Sequence, residues 1–303
     1  MRALLCSGQG QIGRGMFDLL IGDDAAEAVL RSAGALLGRD PRAFLATADA
    51  EAITADRTGQ ILCTARSLAA AAALRIQTPA MIAGYSVGEM AAWGVAGIWS
   101  AEQTLRLTAR RAELMDVADK GEGGLGFVRG LGEALLDSLL SSHNCAIAIR
   151  DPGGLFIIGG LRSDVAACCV SALQSGAAAA RPIAVKVASH TPRLAAAVAP
   201  FEDLLAGEAA SAPELTLIGA ADATIIGAAD GPAIAGLARQ LATTVDWNAA
   251  LTALTERGAR RMLELGPGDA LARMARTTWP DMDTRALDDF STVEGARRWF
   301  DAA

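Results

Sequence analysis

The stretch that most constrains the fold is residues 79–96, PAMIAGYSVGEMAAWGVA. Its apolar run at 79–84 predicts a short buried strand, and the residues from about 87 to 96 predict a helix directly after it. Between them lies Gly84-Tyr85-Ser86-Val87-Gly88. A strand, a tight G-x-S-x-G turn and a helix together are typical of the nucleophile elbow of an α/β domain. A helix-capping serine in a glycine-rich turn is the simpler alternative.

A segment with a different order of predicted helices and strands interrupts this α/β pattern. Residues 121–188 predict the order β-α-β-β-α-β of a ferredoxin-like module. Its two central strands, CAIAIRD and GLFIIGG, are joined by the turn that begins at Asp151. We therefore expect an α/β fold in which a large domain with a parallel sheet, residues 1–120 and 189–303, carries an inserted α+β domain, residues 121–188. Residues 24–77 predict several helices, and RPIAVKVAS (181–189) predicts the last strand of the insertion.

Composition excludes several classes of function. The formal net charge of −7 argues against nucleic-acid binding. No run of 18 strongly apolar residues predicts a membrane span, and the N-terminus does not resemble a signal peptide. Five scattered cysteines do not indicate a disulfide framework, so we expect a cytoplasmic protein. With two histidines in the chain, a metal site is not expected.

Ser86 is the candidate nucleophile. The turn would expose its hydroxyl at the positive end of the following helix, where the backbone N–H of Val87 can stabilise a developing anion. A second donor is expected from a loop after an earlier strand. The glycine loop Gly8-Gln9-Gly10-Gln11, which follows the apolar run 2–6, fits that role.

A serine nucleophile needs a base, and the candidates are His143 and His190. His143 lies in a polar helix-to-strand connection, whereas His190 lies where a strand ends and the insertion returns to the large domain. A backbone carbonyl can orient such a histidine as well as a carboxylate can. No histidine follows His190, which is unlike the order of ordinary α/β-hydrolases. Arg111 could bind a substrate carboxylate bidentately, or it and Arg110 could be two solvated arginines on a helix.

Taken in order, these motifs resemble the malonyl-CoA:acyl-carrier-protein transacylase family over nearly the whole chain. The matching segments are Gly8-Gln9-Gly10, GYSVGE, Arg111 four residues before a methionine, Ser189-His190 and LGPG at 265–268. The resemblance implies an acyltransferase with Ser86 as nucleophile and His190 as base. It also implies an oxyanion hole from the N–H groups of Gln9 and Val87, Arg111 as the ligand of the malonyl carboxylate, and a main-chain contact from Asp246 that orients His190.

Some residues depart from the family pattern. Tyr85 replaces the histidine before the serine, and GQGQI replaces the usual Gly-Gln-Gly-Ser-Gln. With the C-terminal LDDFSTVEGARRWF, these features resemble the malonate decarboxylase branch, its epsilon subunit. That branch implies a partner, the small acyl-carrier subunit of the decarboxylase, whose phosphopantetheine-type thiol would accept malonyl from malonyl-CoA. No permanently bound cofactor is implied.

Other functions stay open on the sequence. A malonyl-CoA transacylase of fatty-acid or polyketide synthesis would have the same motifs, and a serine thioesterase would have the same elbow. A non-catalytic carrier-binding module would need none of Ser86, His190 and Arg111.

Overall fold

The computed structural model describes residues 1–76 and 79–302, so residue 77 of the predicted helical stretch and residue 303 of the large domain lie outside the described residues. The helices are α1 Asp24–Leu37, α2 Pro41–Thr47, α3 Ala50–Thr54, α4 Asp56–Leu74, α5 Gly88–Val95, α6 Ala101–Asp119, α7 Glu133–Ser142, α8 Arg162–Gln174, α9 Ala195–Ala206, α10 Gly231–Arg239, α11 Trp247–Glu256, α12 Ala270–Thr278 and α13 Val293–Asp301. The strands are β1 Arg2–Cys6, β2 Ala80–Gly84, β3 Gly123–Arg129, β4 Ala146–Asp151, β5 Leu155–Leu161, β6 Ala179–Pro182, β7 Thr216–Ile218, β8 Ile225–Ile226, β9 Val245–Asp246, β10 Arg261–Glu264 and β11 Asp283–Ala286.

The larger sheet carries the elbow at its centre. Its strand order is β11-β10-β1-β2-β7-β8, and every pairing is parallel except that of β7 with β8. The sequences of β1 and β2 are almost entirely apolar, because helices cover both faces of the sheet at this point. Both strands end at the same edge, with Cys6 paired to Gly84. The glycine loop after β1 and the serine turn after β2 are therefore neighbours.

Helix α4 is buried along almost its whole length. Its alanines, especially in the run 69–73, let α1, α5 and α6 pack closely around it. This arrangement leaves α4 almost no face that is exposed to solvent. It also places polar side chains of α4, such as Gln60, inside the protein, where they need partners.

The smaller sheet has the order β6-β3-β5-β4-β9. Its first four strands, with α7 and α8, follow the predicted order β-α-β-β-α-β, and the pairs among them are antiparallel. We propose 121–188 as the extent of this small domain, with 1–120 and 189–303 forming the large one.

Two features of the smaller sheet differ from the sequence-based expectation. The strand predicted at 181–189 is wrong for most of its length, because β6 ends at Pro182. β6 is an edge strand, and proline has no N–H with which to extend the ladder. The other difference is β9, which follows α10 in the chain and pairs in parallel with β4. A strand of two residues has no recognisable sequence pattern.

Candidate active site

The serine turn has the strained geometry of a nucleophile elbow. Ser86 has a φ of 56°, in the left-handed region that non-glycine residues seldom occupy. A Cβ placed on Gly84 would lie 2.1 Å from the carbonyl oxygen of Gly88, and one on Gly88 would lie 2.1 Å from that of Cys6. The two glycines of the motif are therefore needed for close backbone packing, and the turn they permit holds Ser86 at the start of α5.

Ser86 and His190 form a hydrogen-bonded pair, with 2.7 Å between Ser86 Oγ and His190 Nε2. His190 Nδ1 lies 2.7 Å from the backbone carbonyl oxygen of Gln240. Because a carbonyl oxygen only accepts, Nδ1 carries the proton and Nε2 is left to accept the hydroxyl proton of Ser86. Burial, and next the positive charge of Arg111, lower the pKa of His190 to about 3. The imidazole is thus neutral and available as a base.

The prediction that Asp246 orients His190 is wrong. Asp246 lies in β9 of the smaller sheet, and its carboxylate accepts from the N–H of Ala249 at 2.8 Å to cap α11. The carbonyl that orients His190 belongs to Gln240, the first residue after α10. Carbonyls at the end of a helix lack intrahelical partners. The carbonyl of Gln240 is therefore free to accept from His190, but any residue type could supply it, so no local sequence pattern marks Gln240.

Glu89 holds the segment that carries Gln240, a role that the sequence reasoning missed. Its Oε2 accepts from the N–H of Ala220 at 3.2 Å and from the side-chain amide of Gln240. Burial raises the pKa of Glu89 to about 7. The glutamate that ends the GYSVGE motif is thus linked through Gln240 to the base.

The two predicted oxyanion donors lie on either side of the nucleophile. Val87 precedes α5, and Gln9 lies in the glycine loop. A Cβ placed on Gly8 would lie 2.9 Å from the carbonyl oxygen of Tyr85 and 3.5 Å from Cβ of Ser86, so this loop packs directly against the elbow. Within the part of the chain that the structure describes, neither the N–H of Gln9 nor that of Val87 donates a hydrogen bond.

Arg111 is buried, with 1% of its surface exposed, whereas Arg110 beside it is exposed and paired with Glu113. Arg111 Nη1 donates to Oε1 of Gln60 at 2.6 Å, and Nη2 has no partner among the described residues. Burial lowers the pKa of Arg111 to about 10, so the guanidinium is charged at neutral pH. A buried cation with an unsatisfied N–H group is suited to binding an anion.

A cavity of about 250 Å³ opens beside Ser86 between the two sheets. The glycine loop forms one wall, and apolar side chains of the smaller sheet and of α12 form most of the others, including Leu125, Ile157 and Met274. Arg111 and His190 are not among the described residues that line it. Both side chains are buried in the protein interior, and the charge of Arg111 acts on His190.

Tyr85 and Asp151 form a polar contact in the lining of this cavity, and the sequence reasoning did not pair them. The hydroxyl of Tyr85 donates to Oδ2 of Asp151 at 3.2 Å, and its ring meets Trp247 edge-on at 5.4 Å. Asp151, at the end of β4, is buried, and its Oδ1 has no partner among the described residues. Burial raises its pKa to about 7. Its sequence context indicated only a hairpin turn.

Other site types were sought in the described residues. No group of three or more His, Cys, Asp or Glu side chains among them could hold a metal ion. None of the helices in these residues is long and apolar enough to cross a membrane.

Comparisons with known proteins cover almost the whole chain. A family model described as acyl transferase domain matches residues 3–294. The malonyl CoA-acyl carrier protein transacylase of Escherichia coli (strain K12) is 27% identical over 309 residues, which are 97% of this chain and 98% of the relative. The polyketide biosynthesis protein ThaF of Burkholderia thailandensis is 30% identical over 205 residues, 67% of this chain but 17% of its own length.

Solved structures show the same fold. A type II PKS acyl-carrier protein in complex with its malonyl-transacylase matches with a TM-score of 0.90 and 26% identity, covering 98% of this chain and 99% of that one. MCAT from Mycobacterium tuberculosis matches with a TM-score of 0.87 and 26% identity, covering 98% and 99%. These matches confirm the predicted fold class, an α/β large domain with a smaller α+β one.

Proposed function

Because this chain belongs to the acyl transferase domain family, we propose that it transfers a malonyl group from coenzyme A to the thiol of an acyl carrier protein, as in fatty-acid or polyketide synthesis. The observation that carries the proposal is the Ser86–His190 pair together with the buried, partly unsatisfied Arg111, whose charge acts on His190. The malonyl transacylases among its relatives and structural neighbours support the same substrate.

The first half-reaction forms an ester on Ser86. His190 Nε2 takes the hydroxyl proton while Oγ attacks the thioester carbonyl, and the N–H groups of Gln9 and Val87 stabilise the oxyanion. As the intermediate collapses, the carbon–sulfur bond breaks and His190 returns the proton to the sulfur of coenzyme A. The products are malonyl-Ser86 and free coenzyme A.

Binding of a malonyl group should also raise the pKa of His190, the base. The charge of Arg111 is one of the causes that lower the pKa of His190. A malonyl carboxylate on Arg111 would offset that charge, so His190 would become a stronger base when an acidic acyl group is present. The same carboxylate would satisfy Nη2, and each charged hydrogen bond contributes about 1.5–3 kcal/mol.

The second half-reaction uses the same groups in reverse. The thiol of a phosphopantetheine arm enters after coenzyme A has left, and His190 removes its proton as the sulfur attacks the carbonyl of malonyl-Ser86. The bond from that carbon to Oγ of Ser86 then breaks, and His190 returns the proton to Oγ, which leaves the malonyl group on the carrier thiol. The apolar cavity beside Ser86 suits a long, thin arm. No resident cofactor is required, because both thiols arrive with the substrates.

Malonate decarboxylase is the second candidate context, and Tyr85 is the observation that favours it. In that case the acceptor would be the small carrier subunit of the decarboxylase. Incubating malonyl-enzyme with equal amounts of that subunit and of a fatty-acid carrier protein would decide between them by the carrier that is labelled first. We keep a cytoplasmic location as a prediction.

The proposal is tested with labelled malonyl-CoA. The purified protein should retain label on Ser86 and pass it to a carrier thiol, whereas Ser86→Ala should retain none. Release of free malonate at the same rate with and without carrier would instead indicate a thioesterase. Arg111→Ala should lose about 10²-fold or more in kcat/KM for malonyl-CoA, from one or two charged hydrogen bonds, and much less for acetyl-CoA.

A further inference from the structure

Asp56, at the start of α4, is a buried carboxyl group for which the mechanism above has no role. Its Oδ2 accepts from Nε2 of Gln60 at 2.8 Å. The other end of the same amide, Oε1 of Gln60, accepts from Nη1 of Arg111 at 2.6 Å. Asp56 and Gln60 are four residues apart on one helix and therefore face the same way. Asp56, Gln60 and Arg111 thus form a continuous, buried chain of hydrogen bonds, which is called the relay below.

The relay fixes which end of the Gln60 amide meets the arginine. A glutamine amide has a donor end and an acceptor end, and a half-turn exchanges them. Oδ2 of Asp56 accepts from the NH₂ end and so directs the amide oxygen toward Arg111. Burial raises the pKa of Asp56, and the hydrogen bond from Gln60 and the positive charge of Arg111 oppose that effect. The remaining contact of Nε2, with Sδ of Met115 at 3.4 Å, is to a weak acceptor. Without Asp56, the NH₂ group could turn toward the guanidinium and repel it.

The negative charge of Asp56 also favours the charged form of Arg111. Burial lowers the pKa of Arg111, and the negative charges of Asp56 and then Glu89 oppose that effect. Asp56 also reaches the oxyanion loop, because its backbone carbonyl accepts from Nε2 of Gln9 at 3.2 Å. Asp56 thus links the anion-binding arginine to the loop beside the nucleophile.

We propose that Asp56 is a positioning residue that sets the preference for acyl groups bearing a carboxylate. Through Gln60 it holds Arg111 with Nη1 occupied and Nη2 available to the substrate. The inference rests on the proposed malonyl transfer and adds to it a residue that does not touch the substrate.

The test compares malonyl and acetyl transfer in Asp56→Ala and Asp56→Asn. The alanine variant removes the acceptor, so its malonyl-to-acetyl ratio of acylation rates should fall at least 10-fold. Asparagine keeps an acceptor oxygen for Gln60, so its ratio should stay within about 3-fold of the original. Glu102→Ala, which removes an exposed carboxyl group from the helix of Arg111, is the matched control and should leave the ratio unchanged.

Rates are normalised to the number of Ser86 sites that can be acylated, so a variant that folds poorly still yields a ratio. An unchanged ratio in Asp56→Ala, or an equal fall in both transfers per site, overturns the role of Asp56. Arg111→Ala is measured in parallel. If that variant loses malonyl preference while Asp56→Ala does not, only the positioning role fails. If Arg111→Ala also keeps its preference, the proposed malonyl site itself is wrong.

Discussion

Replacing Asp151 with asparagine should stabilise the protein by an amount that grows with pH. Asp151 is 6% exposed, and burial raises its pKa from 3.8 to about 7, against the opposing effects of Tyr85 and Arg129. The native state therefore keeps a proton on this carboxyl group at pH values where the unfolded chain has lost it. Stability contributed by that proton is complete below pH 3.8 and is lost as the pH rises toward 7.

The magnitude follows from the pKa. Each pH unit between 3.8 and about 7 removes up to about 1.4 kcal/mol of unfolding free energy. Because the native carboxyl group is itself about half ionised at pH 7, raising the pH from 5 to 7 costs about 2 kcal/mol. Asparagine does not titrate, and its oxygen can still accept from the hydroxyl of Tyr85. The difference in unfolding free energy between variant and parent should therefore increase by about that amount.

Thermal unfolding of both proteins at pH 5, 6, 7 and 8 measures this difference. For a chain of this size, about 2 kcal/mol corresponds to a rise of a few degrees in the Tm of the variant relative to the parent. Other buried acids titrate equally in both proteins and cancel. Asp137→Asn, at an exposed position on α7, is the control and should show a constant difference. A constant Tm difference for Asp151→Asn would refute the argument that burial sets this pKa.

Three further outcomes are expected. Gly88→Ala should lower the Tm and abolish acylation, because its Cβ would lie 2.1 Å from the carbonyl oxygen of Cys6; Gly132→Ala, with open space around it, should do neither. Asp246→Ala should lose a helix cap worth about 1 kcal/mol of stability with kcat unchanged; a large fall in kcat would restore its predicted contact with the base. The ¹⁵N chemical shifts of His190 should stay those of a neutral ring from pH 8 to pH 5, because its pKa is lowered to about 3; protonation near pH 6.5 would contradict this.

Local patterns predicted the parts of the molecule that depend on local geometry. The β2–elbow–α5 unit follows from PAMIAG and the two glycines around Ser86, and the structure shows why both glycines are required. The hairpin of β4 and β5 could also be predicted, because its two strands and its turn follow one another directly in the sequence. The placement of His190 beside Ser86 was predicted from the shortage of histidines, and the structure puts the two side chains 2.7 Å apart.

Contacts between distant segments could not be predicted in this way. Gln240 is 50 residues from His190, and it acts through a backbone carbonyl that any residue type could supply. Tyr85 and Asp151 belong to different sheets, so neither local sequence indicates the other. No sequence pattern singles out Asp56, because its importance depends on the burial of α4. In each case the missing information was three-dimensional packing.

Two of the links described above join segments near the dyad to β4 of the smaller sheet: the hydrogen bond from Tyr85 to Asp151 and the pairing of β9 with β4. One begins next to the nucleophile, and the other lies a few residues beyond Gln240, which orients the base. A hinge motion that widened the cavity would therefore pull on both halves of the dyad at once. We therefore expect that a bulky acyl group that forced the cavity open would also move the nucleophile and the base out of alignment. An acyl group that is too large for the cavity would then also react slowly, for the same structural reason.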